Sequence, residues 1–158
     1  MINPFINNEY SLIKKVVLGI ANSFGGTPTI EDAYDPKSKQ NILNKSFPIE
    51  SELMNELNAF EQVLNKYDVH VLRPKNILDY NQVFARDVGF VIENKLFLSN
   101  MIDKRRNEVE GIKFILNQIN SNFIYDLSNE IFVEGGDVVV SEDFLFIGYS
   151  KVDDFNKY

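Results

Sequence analysis

Apolar residues along the chain fall into short runs of strand length and two stretches with helical period. Val16-Val17-Leu18-Gly19-Ile20 is an unbroken apolar run and reads as a buried strand. Asn22 to Lys45 is rich in Gly, Pro, Asp, Asn and Ser and reads as a long loop, either a lid over a site or plain surface. From Glu50 to Tyr67, Leu53, Leu57, Phe60, Leu64 and Tyr67 recur at three- and four-residue steps. Glu52, Glu56, Glu61 and Lys66 take the opposite face, which predicts an amphipathic helix. Val69-His70-Val71-Leu72 alternates as a strand and stops at Pro74.

Two short strands, Asp87 to Ile92 and Lys95 to Leu98, flank Glu93-Asn94 as a hairpin. Asn107 to Ile119 carries Val109, Ile112, Ile115, Leu116 and Ile119 at helical spacing and predicts a second amphipathic helix. A strand near Phe123-Ile124-Tyr125 follows, then Val138-Val139-Val140 and a return through Phe144 to Tyr149. The order amounts to roughly two and a half copies of a strand–strand–helix–strand module of about fifty to sixty residues, the range of repeat architectures. The pattern stops mid-module, and Phe155-Asn156-Lys157-Tyr158 shows no cap or polar tail.

Composition narrows the classes. At 158 residues with 44% hydrophobic content the chain has room for one domain with a core. A net charge of −7 argues against nucleic acid as a partner, because phosphate binding needs a cationic surface. The densest basic run, Lys104-Arg105-Arg106, is too short to change that. No apolar run approaches a membrane span, the N-terminus lacks signal-peptide order, and a cytoplasmic location is the default expectation. Cysteine is absent, which excludes disulfides and thiolate metal sites within these residues. No metal and no cofactor is expected.

The chemistry concentrates in Glu134-Gly135-Gly136-Asp137, two carboxylates bracketing a glycine pair between apolar runs. Carboxylates beside buried strands need a partner, and a guanidinium is the planar cation that suits a carboxylate pair. The glycines would let the backbone fold sharply and aim both acids at one point. A Gly-Gly turn with two solvated acids would use the same letters. Asp87, where Phe84-Ala85-Arg86-Asp87 enters a strand, is the candidate third carboxylate, with a local turn role as its plainer reading. Arg86 beside it reads as a structural ion-pair partner, and since adjacent strand residues point to opposite faces the two need not meet.

Asn81 through Asp87, the following Val88-Gly89-Phe90-Val91-Ile92, Met101 with Arg105-Arg106 and Glu108, and Glu134 through Asp137 together resemble the guanidino-group-modifying enzymes. These are arginine deiminase, dimethylarginine dimethylaminohydrolase and glycine amidinotransferase, on the five-bladed α/β propeller (pentein) fold. The opening Lys14 to Gly19 strand and the helix ahead of Val69 also look like that family, so the resemblance spans nearly the whole chain. It implies an α/β fold, a pentein-type propeller built of ββαβ modules and present here as an incomplete set. It implies that Asp87 binds the substrate guanidinium and that Glu134 orients it and assists proton transfer. Asp137 would stand behind as a second carboxylate, touching substrate or holding the corner. Asn81 would position substrate, and Phe84 would be an apolar wall against the guanidinium. Arg105 or Arg106 would hold the substrate carboxylate, with Arg106 fitting the spacing better.

The family's chemistry is nucleophilic: a cysteine thiolate attacks the guanidinium carbon and expels an amine, and a histidine handles the protons. This chain departs from that pattern, having no cysteine and only His70, which lies ahead of both acidic motifs and reads as a structural strand residue. Residues 1–158 are therefore expected to be the N-terminal part of one pentein catalytic domain, with the catalytic Cys and His beyond the chain. The implied activity is a hydrolase or amidinotransferase acting on arginine or a related guanidino or ureido compound. The chain alone is expected to be inactive, and a homo-oligomer is possible because a repeat cut mid-module exposes core edges. The rival is a non-catalytic binding module on the same fold; a metal site built from Asp and Glu would need one more clustered oxygen ligand.

Overall fold

The computed structural model describes residues 1–33 and 36–148, so Tyr149, the last residue of the expected return strand, and the terminal Phe155–Tyr158 lie outside the described residues. The strands, in chain order, are β1 (Lys15–Val17), β2 (His70–Leu72), β3 (Gly89–Ile92), β4 (Lys95–Leu98), β5 (Ile124–Asp126), β6 (Val138–Ser141) and β7 (Phe144–Ile147). The α-helices are α1 (Pro36–Leu43), α2 (Glu50–Lys66) and α3 (Lys113–Leu116). They form three small sheets: β1-β2, β3-β4-β5 and β6-β7. Strands β1 and β2 run parallel across α1 and α2, as do β4 and β5 across α3, whereas β3-β4 and β6-β7 are antiparallel hairpins.

Helix α2 forms where its period predicts, with Glu50 and Glu52 in the first turn and Lys66 in the last, each complementing the helix dipole. It ends because Asp68 turns left-handed (φ 57°). The Val69 N–H then caps the Leu64 carbonyl and the Asp68 N–H caps Asn65, both at 3.1 Å, a glycine-type terminus made with aspartate. Its inward face differs from the expected one. Phe60 and Tyr67 are exposed, while Glu61, expected outside, turns in. The reason is Arg73, which donates to Glu61 from Nε and Nη2, to the Leu57 carbonyl from Nη2, and to the Gly19 carbonyl from Nη1. One guanidinium thus ties α2 to the segments that follow β1 and β2.

Three other expectations change. The 22–45 loop contains α1, which begins at Pro36; proline suits the first helical position because its missing N–H has no partner there anyway. The apolar run 16–20 is strand only as far as Val17, since Ile20 leaves β2 and donates instead to the Gln82 carbonyl at 3.1 Å. The second predicted helix is mostly 3-10 helix, Arg106–Ile112, with only the single turn α3 after it. A Cβ at Gly111 would lie 2.3 Å from Gln82 Nε2, so this segment is pressed against the buried Gln82. The tighter coil also eclipses positions three apart, which decides the geometry of Arg105 and Glu108 below.

The core beneath the site is Val88, Met101, Ile112 and Ile115, with Val17 and Leu72 from the first sheet packed on it. Val88 follows Asp87 directly and Met101 lies four residues before Arg105, so the core anchors both segments. The N-terminal residues are the brace. Ile6 exchanges backbone hydrogen bonds with Glu93 at the β3-β4 tip, and Asn7 accepts from the Glu142 N–H at the β6-β7 tip. Both tip glutamates are left-handed, at φ 52° and 48°. Sequence pattern gives no sign of this brace, because it is made by backbone atoms.

Candidate functional site

Each acidic motif ends on one turn of 3-10 helix that feeds a hairpin. The Asp87 N–H closes the first turn on the Phe84 carbonyl, and the Asp137 N–H closes the second on the Glu134 carbonyl, both at 3.0 Å. Asp87 therefore lies on the turn Ala85–Val88 rather than on the strand, which starts at Gly89. The two turns pack against each other through the glycine pair. A Cβ on Gly135 would meet the Arg86 carbonyl oxygen at 2.1 Å and that of Gly89 at 2.7 Å; one on Gly136 would meet Asp87 Oδ1 at 2.5 Å. Neither glycine has positive φ. The pair is required for close approach, not for the sharp fold expected of it.

A guanidinium lies between the turns, and it is the chain's own. Arg105 Nη1 donates to Asp87 Oδ2 and to Glu134 Oε2, both at 3.0 Å. Its Nε and Nη2 donate to the two oxygens of Glu108 at 2.8 and 3.0 Å, a two-point grip along the i,i+3 register of the 3-10 turn. The side chains of Arg105 and Glu108 are only 7% and 3% exposed, while Asp87 and Glu134 are 18% and 32% exposed. The cluster is sealed at Glu108 and open at Glu134. Asp87 Oδ1 and Glu134 Oε1 make no hydrogen bond among the described residues.

The third carboxylate on this cation is Glu108; Asp137, expected near Asp87 and Glu134 to touch substrate or hold the corner, makes no described bond to Arg105. Asp137 is exposed; its carbonyl accepts from the Gly148 N–H at 2.7 Å, and its carboxylate acts on that of Glu134 as through-space repulsion. Arg86 points away, as adjacent positions allow, donating to Glu9 and to the Val138 carbonyl, both at 2.7 Å. Asn81 turns its Oδ1 to the Val83 N–H at 3.2 Å, and Phe84 is 55% exposed beside the turn. Arg106 is 62% exposed and pairs with Asp103 at 2.8 Å. His70 opens β2 with an exposed side chain. The sequence reading missed the Arg105–Glu108 grip, whose signal was an Arg and a Glu three apart in a stretch of otherwise apolar period.

Among the described residues three carboxylates surround one guanidinium, so when ionised they outnumber it by two charges. Burial raises the Glu134 carboxyl above its ordinary value; Arg105 lowers it, and Asp87, Asp137 and Glu108 raise it further. Glu108 is also raised, by burial first, against the hydrogen bond and charge of Arg105. A carboxyl raised in the folded state holds its proton better there than in the unfolded chain, so its contribution to stability falls as pH rises past the ordinary glutamate value. Relative to Glu134→Gln, the parent chain should therefore lose stability as pH climbs from about 4 to 7. Urea midpoints of the two proteins at stepped pH check this; a gap that moves the other way contradicts it.

A shallow groove between α2 and the segment after β1 holds Ile20, Met54, Leu57 and Arg73, but none of the acidic cluster. No helix among the described residues is long and apolar enough to cross a membrane.

The model of the family "N,N dimethylarginine dimethylhydrolase, eukaryotic" matches residues 28–154. The curated "Uncharacterized protein YkgA" of Bacillus subtilis (strain 168) is 38% identical over 76 residues, which is 48% of this chain and 26% of that one. Among solved structures, the amidinotransferase SxtG of Microseira wollei matches 88% of this chain and 52% of its own at 17% identity, with a TM-score of 0.66. A DDAH of Pseudomonas aeruginosa complexed with citrulline matches 89% of this chain and 51% of its own at 19% identity, with a TM-score of 0.64. At these identities the structural likeness concerns the fold. The chain spans about half the length of these solved relatives and about a quarter of the curated one.

Proposed function

The chain belongs to the N,N dimethylarginine dimethylhydrolase family, within the pentein superfamily, and from that premise we propose that it carries the guanidinium-binding half of an enzyme modifying arginine or a related guanidino or ureido compound. The observation that carries this reading is the pairing of Asp87 and Glu134 on one guanidinium nitrogen, each with a second oxygen left over. Two side chains from separate turns aimed at one planar cation, with surplus negative charge at the more exposed end, suit a second cation of the same kind. In the reaction Asp87 binds the substrate guanidinium, and Glu134 orients it and, with its raised affinity for a proton, assists proton transfer. Asn81 positions the substrate, and Phe84 supplies an apolar wall against its guanidinium. Arg106 exchanges its exposed partner Asp103 for the substrate carboxylate. Asp137 holds the corner.

The nucleophile is a cysteine thiolate and its proton carrier a histidine, supplied by residues beyond this chain, whose only histidine opens β2. The three sheets are blades of a propeller assembled from ββαβ modules. Hydrolysis and amidino transfer share every feature described here. The test is ligand binding followed by NMR: L-arginine, agmatine and methylated arginines should bind at about millimolar strength, with neutral citrulline weaker. Asp87→Asn should abolish the preference for cations, and Gly136→Ala should weaken binding without unfolding, since only the Asp87 side chain stands within 4 Å of its new methyl. No ammonia, amine or urea should be released. Indifference to ligand charge in the parent chain would overturn the reading.

A further inference from the structure

A guanidinium already inside a proposed guanidinium site has two possible meanings. It could be a plug that substrate must displace, or a fixture that substrate joins. We infer that Arg105, gripped by Glu108, is a fixture: a positioning residue that stays between Asp87 and Glu134 while a second cation is bound by their remaining oxygens. This rests on the reading of the site as a guanidinium receptor and adds which internal groups set its geometry.

The geometry favours the fixture. Glu108 is 3% exposed and takes both Nε and Nη2 of Arg105, so a departing Arg105 would strand a carboxylate with nowhere to reach water. A plug would be held on its open side and free behind. Arg105 is gripped behind: its Nε and Nη2 bond the sealed Glu108, while Nη1 bonds both Asp87 and Glu134 toward the more exposed end. That one Nη1 reaches Oδ2 and Oε2 fixes the rotation of both carboxylates, so Oδ1 and Oε1 are held where rotamer freedom would otherwise scatter them. Orientation of this sort needs a rigid fork. Lysine, a single point charge on a flexible stem, cannot hold Glu108 at two points and span Asp87 and Glu134 as well. Charge completes the argument. With Arg105 retained, the carboxylates described around it still outnumber it, and an incoming cation is attracted.

Two variants of the full chain test it, Arg105→Lys, which keeps the charge, and Glu108→Gln, which keeps the shape. The first readout is arginine binding: each variant should bind about tenfold more weakly or worse, because an oriented pair of charged hydrogen bonds is lost. Unchanged or tighter binding in Arg105→Lys would overturn the fixture and leave the plug. The second readout needs no ligand. The side-chain carboxyl carbon of Glu134, followed by NMR against pH, should titrate about half a pH unit or more higher in Arg105→Lys than in the parent. An unmoved titration would also overturn the inference. If the parent chain fails to bind arginine, the site reading fails on the first readout while the titration still decides the role of Arg105.

Discussion

Arg105→Leu should cost the chain about 3–5 kcal/mol at neutral pH, the penalty for breaking a buried ion pair by removing one partner. Leucine keeps an apolar stem but removes the guanidinium, so most of the loss is electrostatic. It leaves Glu108 at 3% exposure without its two donors, and turns Asp87 and Glu134 toward each other with no cation between them. Set against the roughly 5–15 kcal/mol that hold an ordinary domain together, this approaches unfolding. Urea denaturation at pH 7 measures it. The same comparison near pH 4 should show a smaller loss, since protonated acids no longer need the guanidinium. Arg105→Leu with Glu108→Leu should recover part of the stability, because an apolar pair replaces a buried ionic one more cheaply than a stranded charge does. A loss below about 1 kcal/mol that ignores pH would mean the cluster is solvated and loosely held.

Gly135→Ala is expected to be the next most damaging change, at about 1–3 kcal/mol or more, by overpacking. The atoms in the way are the carbonyl oxygens of Arg86 and Gly89, at 2.1 and 2.7 Å from the added carbon. Neither can retreat easily. Arg86 is in the turn that carries Asp87, and Gly89 is paired with Leu98 in β3-β4. The methyl must therefore push the two acidic turns apart, loosening fold and site together. Gly136→Ala is the contrast, since its obstacle is a side-chain oxygen at 2.5 Å that can swing aside. Thermal unfolding of both proteins separates the cases: a large fall in midpoint for the first, little for the second. Equal midpoints would show that the turns are not packed as described.

Helix α2 was legible because Leu53, Leu57 and Leu64 keep a period that only a helix can bury on one side. The first hairpin was legible because apolar strands flank Glu93-Asn94, and the second because the apolar run Val138–Val140 is followed at once by another from Phe144. The 3-10 character of Arg106–Ile112 was not, since apolar spacing cannot separate a tight coil from an α-helix over so few turns. Nor were the roles of Phe60 and Glu61: which side of α2 faces in was settled by Arg73, a partner twelve residues further along the chain from Glu61.

The site divides along the same line. From letters alone came the acids Asp87 and Glu134, the glycines between the corners, and the expectation of a planar cation, because each is a property of residue type and local order. Folding alone decided that Glu108 rather than Asp137 completes the ring, that Arg105 supplies the first cation, and that the glycines serve contact instead of turning. Those outcomes depend on which backbone atoms meet across separate sheets, and such meetings are set by packing between segments that share no local pattern.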